Sequence, residues 1–484
     1  MTITATDDLF PDIRLGVNLG ATYGLFEPAE EFVPQARALG AGIVRVNIYW
    51  SQVEPEVGHF VWDAVDALVD QLGDDDEAWV TVVSGSRWAT QRVTSWLPGS
   101  PAIDTDQYGR FVRALVGRHP GRIRYWQCEI EPCLPMFWSG TALEYLSQLR
   151  VLHGAVEQHD PNALVVLGGA VPGAMLGDQA AGAQTWAGFF GEVLRDGSEY
   201  FDVFDLHPYG DPYVVDSLVA VSRAQMAAHG YQKPIVASEH SGPLPTDFPE
   251  ARPHLAEALT VHQQRFLDHG TAALPDSAEE WRVAEDPAVV ALYEQMGDLP
   301  PTLEMFMNGC PPELEERRNR LARRDMVTRT MLALSSGVRR NLYFPLASDQ
   351  TLRPDSRYTL VLMFDKLKLM GRTNGALDHR YPAAETFELL AHHLNGALLI
   401  ERATIPGRPD IYLFEIQRAD RAPAMVVWQR PSDWLGIDQA PTEISWHWPY
   451  PSTNAVDVTG APVKITIEQE ILHVLVSSTP VFID

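Results

Sequence analysis

Between Leu15 and about His393 the chain alternates short apolar runs with longer amphipathic stretches, and this alternation constrains the fold more than any other feature. The runs are Leu15–Asn18, Ile43–Tyr49, Trp79–Val83, Ile123–Cys128, Leu164–Leu167, Val203–Leu206, Pro234–Ala237 and Val338–Phe344. Near-continuous apolar character marks strands buried on both faces, as parallel strands covered by helices are. The stretches between them, such as Val61–Leu72, Tyr108–His119 and Ala142–His159, carry apolar residues at helical spacing. Asp160-Pro161-Asn162 stops the last of these before the next run. Eight strands alternating with helices predict an α/β chain folded as a (β/α)8 TIM barrel. A doubly wound open sheet would usually bring a Gly-rich phosphate-binding turn, and neither G-x-G-x-x-G nor G-x-x-x-x-G-K-[ST] occurs.

Two departures from the alternation set the domain plan. Between Ser241 and about Glu315 lies a long insertion after the seventh strand, rich in Pro, Glu and Leu, with helical patterns at Leu255–Phe266 and Ala288–Met296. A stretch of that length is seldom structureless in a compact domain, so a small helical lid or subdomain is expected on the face where barrel loops build sites. After about Asn395 the pattern turns β-rich: Ile411–Gln417, Ala424–Trp428, Val463–Ile467 and Ile471–Val476 are separated by Pro, Gly, Asp and Asn. These runs predict an antiparallel β-sandwich. The expected plan is therefore a catalytic barrel over 1–394, with its insertion at about 241–315, and a sandwich over 395–484.

Composition mainly excludes. A formal charge of −27 argues against nucleic acid and anionic membrane surfaces as partners. Cys128, Cys133 and Cys310 form an odd, sparse set without metal-ligand spacing, which suggests a reducing compartment. The N-terminal Met1-Thr-Ile-Thr-Ala-Thr-Asp-Asp has neither a basic region nor an apolar one, so a cytoplasmic protein is expected. A homo-oligomer is left open. The acidic run Asp74–Glu77 reads as a solvated turn.

Chemistry is suggested by two glutamates that close apolar runs. Glu131 lies in Trp126-Gln-Cys-Glu-Ile-Glu131-Pro132, and Glu239 ends Lys233-Pro-Ile-Val-Ala-Ser-Glu239. The Glu-Pro pair alone says little, since Glu27-Pro28 and Glu54-Pro55 repeat it. Position says more: these residues end the fourth and seventh strands, so both face the same mouth of the barrel. Two carboxylates across a sugar-sized gap are the apparatus for breaking a glycosidic bond. Aromatic residues nearby, Phe137 and Trp138 above all, suit the C–H faces of sugars.

In these residues the chain resembles the retaining glycoside hydrolases of clan A, particularly the family 39 group of β-xylosidases and α-L-iduronidases and its family 5 relatives. Arg45-Val-Asn-Ile-Tyr-Trp50 through Asp63 resembles their second strand and its loop, and Tyr125 through Pro132 their acid/base strand. Phe137-Trp138-Ser-Gly140-Thr141 resembles the turn after it, His207-Pro208-Tyr209 the sixth strand end, and Lys233 through Glu239 the nucleophile strand. Val456 through Val463 resembles their terminal sandwich. The likeness implies Glu131 as general acid/base, Glu239 as nucleophile, a separation of about 5–5.5 Å and a carbohydrate substrate. It implies no cofactor and no metal.

One departure stands out. The clan carries Asn-Glu-Pro, and here Ile130 replaces the asparagine that normally binds the sugar 2-hydroxyl. Another polar group takes over (Glu129, Asn47 or His240), the substrate differs at that carbon, or the chain is a non-catalytic relative; transglycosylation is a further alternative. Among the remaining candidates, Arg45 is expected to hold Glu239 ionised, and His207 and Tyr209 to line the pocket, with Tyr209 a donor to Glu239. Trp88 and Trp138 are expected as sugar platforms.

Overall fold

The computed structural model describes residues 9–176, 184–267, 277–353, 355–419, 421–450 and 454–484. Residues 1–8, on which the expectation about the N-terminus rests, and residues 268–276 of the insertion lie outside them.

Eight parallel strands form the barrel: β1 (Arg14–Asn18), β2 (Ile43–Tyr49), β3 (Glu77–Val83), β4 (Tyr125–Cys128), β5 (Leu164–Val166), β6 (Phe204–Asp205), β7 (Ile235–His240) and β8 (Arg340–Tyr343). They pair in the order β5-β4-β3-β2-β1-β8-β7-β6. Parallel bridges from Val166 to Val203 and from Ala170 to Leu206 join the two ends, so the ring closes. Each expected run is a strand, and every residue of β2 is buried.

Alternation along the strands sorts the interior into layers. On one parity, Val44, Val46, Ile48, Val80 and Val82 pack outward under the helices. On the other, Ile43, Trp79, Tyr125 and Val203 close the lower barrel together with Phe10. Two residues further along, the same inward parity becomes polar: Arg45, Thr81, Gln127 and Asp205 are fully buried. They satisfy one another in a belt. Arg45 Nε donates to Thr81 Oγ1 at 3.0 Å, Thr81 to Gln127 Oε1 at 2.8 Å, and Gln127 Nε2 to Asp205 Oδ2 at 2.7 Å. Buried polar groups persist only when paired in this way. The site rests on this belt.

Above the barrel, the insertion supplies helices Arg252–Leu267, Ala278–Arg282 and Pro287–Glu294 with their own apolar cluster around Leu255, Val289, Leu303 and Phe306. The chain returns through the 24-residue helix Pro312–Ser335 to β8. The C-terminal strands form a five-stranded and a three-stranded antiparallel sheet. Alternate residues Ile411, Leu413, Met425, Val427, Leu472 and Val474 meet between the two sheets. Arg324 on the long helix ties them to the barrel through Asp438 at 3.0 Å and the carbonyls of Trp434 and Gly436. No helix among the described residues is long and apolar enough to cross a membrane.

Candidate active site

Glu131 reaches the barrel mouth because the backbone turns sharply after β4. Glu129 adopts a left-handed φ of 61°, an unusual conformation for a non-glycine residue, and its carboxyl turns away into a pocket beneath Gly99. A Cβ at Gly99 would lie 2.1 Å from Glu129 Oε2, so only glycine fits there. Glu239 is aimed by an irregularity in β7. Ser238 and Glu239 both point inward, which strict alternation forbids; the register against β8 shifts between Ala237 and His240 and permits it.

The two carboxylates meet different partners. Arg45 Nη1 lies 2.6 Å from Glu239 Oε2, Asn18 Nδ2 donates to the same oxygen at 3.1 Å, and the Tyr209 hydroxyl donates to Oε1 at 3.0 Å. Glu131 Oε1 lies 2.6 Å from His207 Nδ1. His207 Nε2 in turn lies 3.1 Å from Asp205 Oδ2 and from Ser238 Oγ. Gly169 makes room for this ring, since a Cβ there would come within 2.3 Å of Nε2. Ligating atoms of Glu131, His207 and Glu239 all lie within 4.8 Å of one another.

Charge balance assigns protons. Burial alone would pull the His207 pKa down, but the carboxylates of Asp205, Glu239 and Glu131 outweigh it and push it up to about 10. His207 is therefore a cation that donates Nδ1–H to Glu131. Burial opposes ionisation of Asp205 as well, yet His207 and Arg45 hold its pKa below the usual value. His207 with Asp205, and Arg45 with Glu239, thus balance in pairs. A charge on Glu131 would be left over in a dry site. Its pKa is raised by burial and by Glu239, with the hydrogen bond from His207 opposing. Burial and the neighbouring carboxylates also raise the Tyr209 pKa far above its ordinary value, so this phenol stays a donor.

Glu131 and Glu239 open into a cavity of about 410 Å³, within the range of small-molecule sites. Asn18, Asn47, Ile130 and Tyr209 line it as well. Asn47 Oδ1 has no protein partner, which leaves an acceptor available to a ligand. Three sequence expectations need correction. Trp88 and Trp138 are not among the described residues lining the cavity. Trp88 donates Nε1–H to the Glu54 carbonyl at 3.0 Å and packs edge-on against Trp50; Trp138 bonds the Thr141 carbonyl at 3.2 Å and packs on Tyr145. Both indoles are consumed by packing. His240 is turned to Asn341 Oδ1 at 2.6 Å inside the barrel wall, where burial drives its pKa down to about 3.

The structure also brings in residues that the sequence did not single out. Asn18 ends β1 opposite Glu239, and the insertion contributes His262, Phe266 and Trp281 to the cavity wall. Only the position of Asn18 at a strand end could have signalled it. Glu131, His207 and Glu239 are spaced as ligands of a cation would be, but their donor atoms are committed. Arg45 already supplies the positive charge at Glu239, and both ring nitrogens of His207 face protein oxygens. The donor set does not fit a resident metal.

No family model matches the chain, and no curated protein sequence matches it. Solved structures do. The chain is similar to a family 39 glycoside hydrolase from Bacteroides cellulosilyticus WH2, with TM-score 0.61, 13% identity, and 99% of this chain and 81% of that one covered. It is similar to a glucosidase from Croceicoccus marinus, with TM-score 0.56, 13% identity and coverage of 98% and 96%. The catalytic domain of GH30 xylanase C from Talaromyces cellulolyticus gives TM-score 0.55, 10% identity and coverage of 98% and 96%. These neighbours are clan A glycoside hydrolases, and at such identities the likeness is one of fold.

Proposed function

We propose that this chain is a retaining glycoside hydrolase that releases a terminal sugar from a small glycoside. One observation carries the reading: carboxylate oxygens of Glu131 and Glu239 lie within 4.8 Å of each other at the mouth of the barrel. Retaining pairs stand about 5–5.5 Å apart, whereas inverting pairs leave room for a water at roughly 6.5–9.5 Å. Glu239, ion-paired to Arg45, attacks the anomeric carbon. The glycosidic C–O bond breaks as Glu131 gives its proton to the leaving oxygen. A glycosyl ester to Glu239 results, and the charge on Glu239 disappears. Glu131, now a carboxylate against the His207 cation, takes a proton from water, which attacks the same carbon and frees Glu239.

Tyr209 and Asn18 orient the nucleophile, and Asn47 offers its free oxygen to a sugar hydroxyl. His207 and Asp205 are positioning residues. A cavity walled by the insertion favours one terminal sugar over a long chain. The test is a panel of aryl glycosides with Glu131→Gln and Glu239→Gln as controls, followed by peptide mapping after a 2-fluoro glycoside. Turnover abolished in both variants and an adduct on Glu239 support the reading. Equal aglycone release by wild type and variants, or an adduct elsewhere, refutes it.

A further inference from the structure

The cavity is unevenly lined, and the unevenness follows the two carboxylates. Asn18 and Tyr209 hydrogen-bond Glu239, and Asn47, Thr22 and Asp349 are further polar residues of the lining, the last two bonded to each other. Around Glu131 the lining is apolar: Ile130, Leu134, Met136 and Phe137 from its own loop, and Val171 from the loop after β5. The insertion continues this surface. Trp96 meets Trp281 edge-on at 5.1 Å, and Phe266 packs against Phe137 at 6.3 Å. Leu259 on helix Arg252–Leu267 is half-buried at the cavity, and Leu360 lines it from the segment after β8.

In a double displacement the acid stands beside the leaving group and the nucleophile beneath the sugar. The leaving group must therefore lie against the apolar side. A second sugar there would strand its hydroxyls among hydrocarbon, and each one left without a partner is unfavourable. We propose that the substrate of this site is a glycoside with a bulky, apolar, ring-bearing aglycone, and that the apolar surface beside Glu131 is its binding site. Ile130 belongs to that surface, packed with Trp96, Phe266 and Trp281 rather than standing in for a sugar-binding amide. Polar side chains, His262 and Thr359 among them, interrupt it. His262 is 4% exposed, lines the cavity, and neither ring nitrogen has a protein partner, which suits a hydroxyl or carbonyl on the aglycone.

This inference rests on the glycosidase reading, and two measurements on the full chain separate their failures. The first compares two glycosides of whichever sugar the aryl panel selects. One carries an alicyclic alcohol such as menthol, the other a second sugar, so that both leaving groups are alcohols rather than activated phenols. The menthyl glycoside is expected to show a kcat/KM at least ten-fold higher. Leu259→Asn, at a half-buried position, should raise its KM roughly ten-fold with kcat little changed. The second measurement titrates free 2-naphthol calorimetrically into Glu239→Gln protein, with and without Leu259→Asn. Saturable binding weakened by Leu259→Asn supports the apolar site. Naphthol binding without turnover of any glycoside refutes the glycosidase reading and leaves the apolar site standing. A disaccharide cleaved as well as the menthyl glycoside, or no naphthol binding, overturns the aglycone proposal.

Discussion

Replacing Glu129 by glutamine should remove a large part of the pH dependence of stability. Glu129 is fully buried, accepts hydrogen bonds from the Ser84 amide at 3.0 Å and the Ser84 hydroxyl at 2.5 Å, and has no partner for Oε2. Burial raises its pKa from 4.5 to about 8, with the two Ser84 bonds opposing only in part. The folded protein thus holds a proton that the unfolded chain releases. The stability contributed by the neutral acid is complete below about 4.5 and is lost as pH rises through about 8. At roughly 1.4 kcal/mol per unit, the loss across that window is on the order of 5 kcal/mol. Glutamine keeps the shape and both acceptor bonds without an ionisable proton. Urea unfolding at pH 5, 6, 7 and 8, followed by circular dichroism, should show wild type falling towards alkaline pH and Glu129→Gln falling much less. Parallel pH slopes would refute the reasoning, because they would mean that Glu129 is already charged in the folded state.

Gly169→Ala places a methyl group 2.3 Å from His207 Nε2, so the ring and Glu131 must shift. A displacement near 1 Å should lower kcat by roughly 10²-fold with circular dichroism unchanged. Asp205→Asn removes the foremost charge holding His207 protonated, leaving burial to drive its pKa down. The His207 titration, followed by NMR of the imidazole, should move from about 10 to lower pH; an unmoved titration counts against the assignment. Trp88→Phe loses the indole bond to the Glu54 carbonyl and should cost about 1 kcal/mol in urea unfolding, with kcat/KM unaltered. A changed kcat/KM would return Trp88 to the substrate.

The barrel was legible because parallel strands buried on both faces leave continuous apolar runs, and the closing helical stretches keep their period. The run Val203–Leu206 illustrates the limit: only Phe204–Asp205 pairs as a strand, with isolated bridges at Val203 and Leu206. Trp88 and Trp138 were misread for a general reason. An aromatic residue near a strand end can face the mouth or the helices, and which it does depends on loop geometry that no local pattern records. His240 shows the same limit at a bulge, where one shifted residue redirects the side chains on either side.

By itself the sequence determined that this chain closes eight strands around an interior and ends in a β-sandwich, because burial dictates periodicity and periodicity is written locally. It also placed Glu131 just after one of those strands and Glu239 near the end of another. Only the tertiary structure decided what surrounds them. Arg45 joins Glu239 across 194 positions and His207 joins Glu131 across 76. Part of the apolar wall comes from an insertion whose composition alone disclosed no such surface. Charge state and substrate fit depend on distances between residues far apart in the chain, and those distances exist only once the barrel has closed.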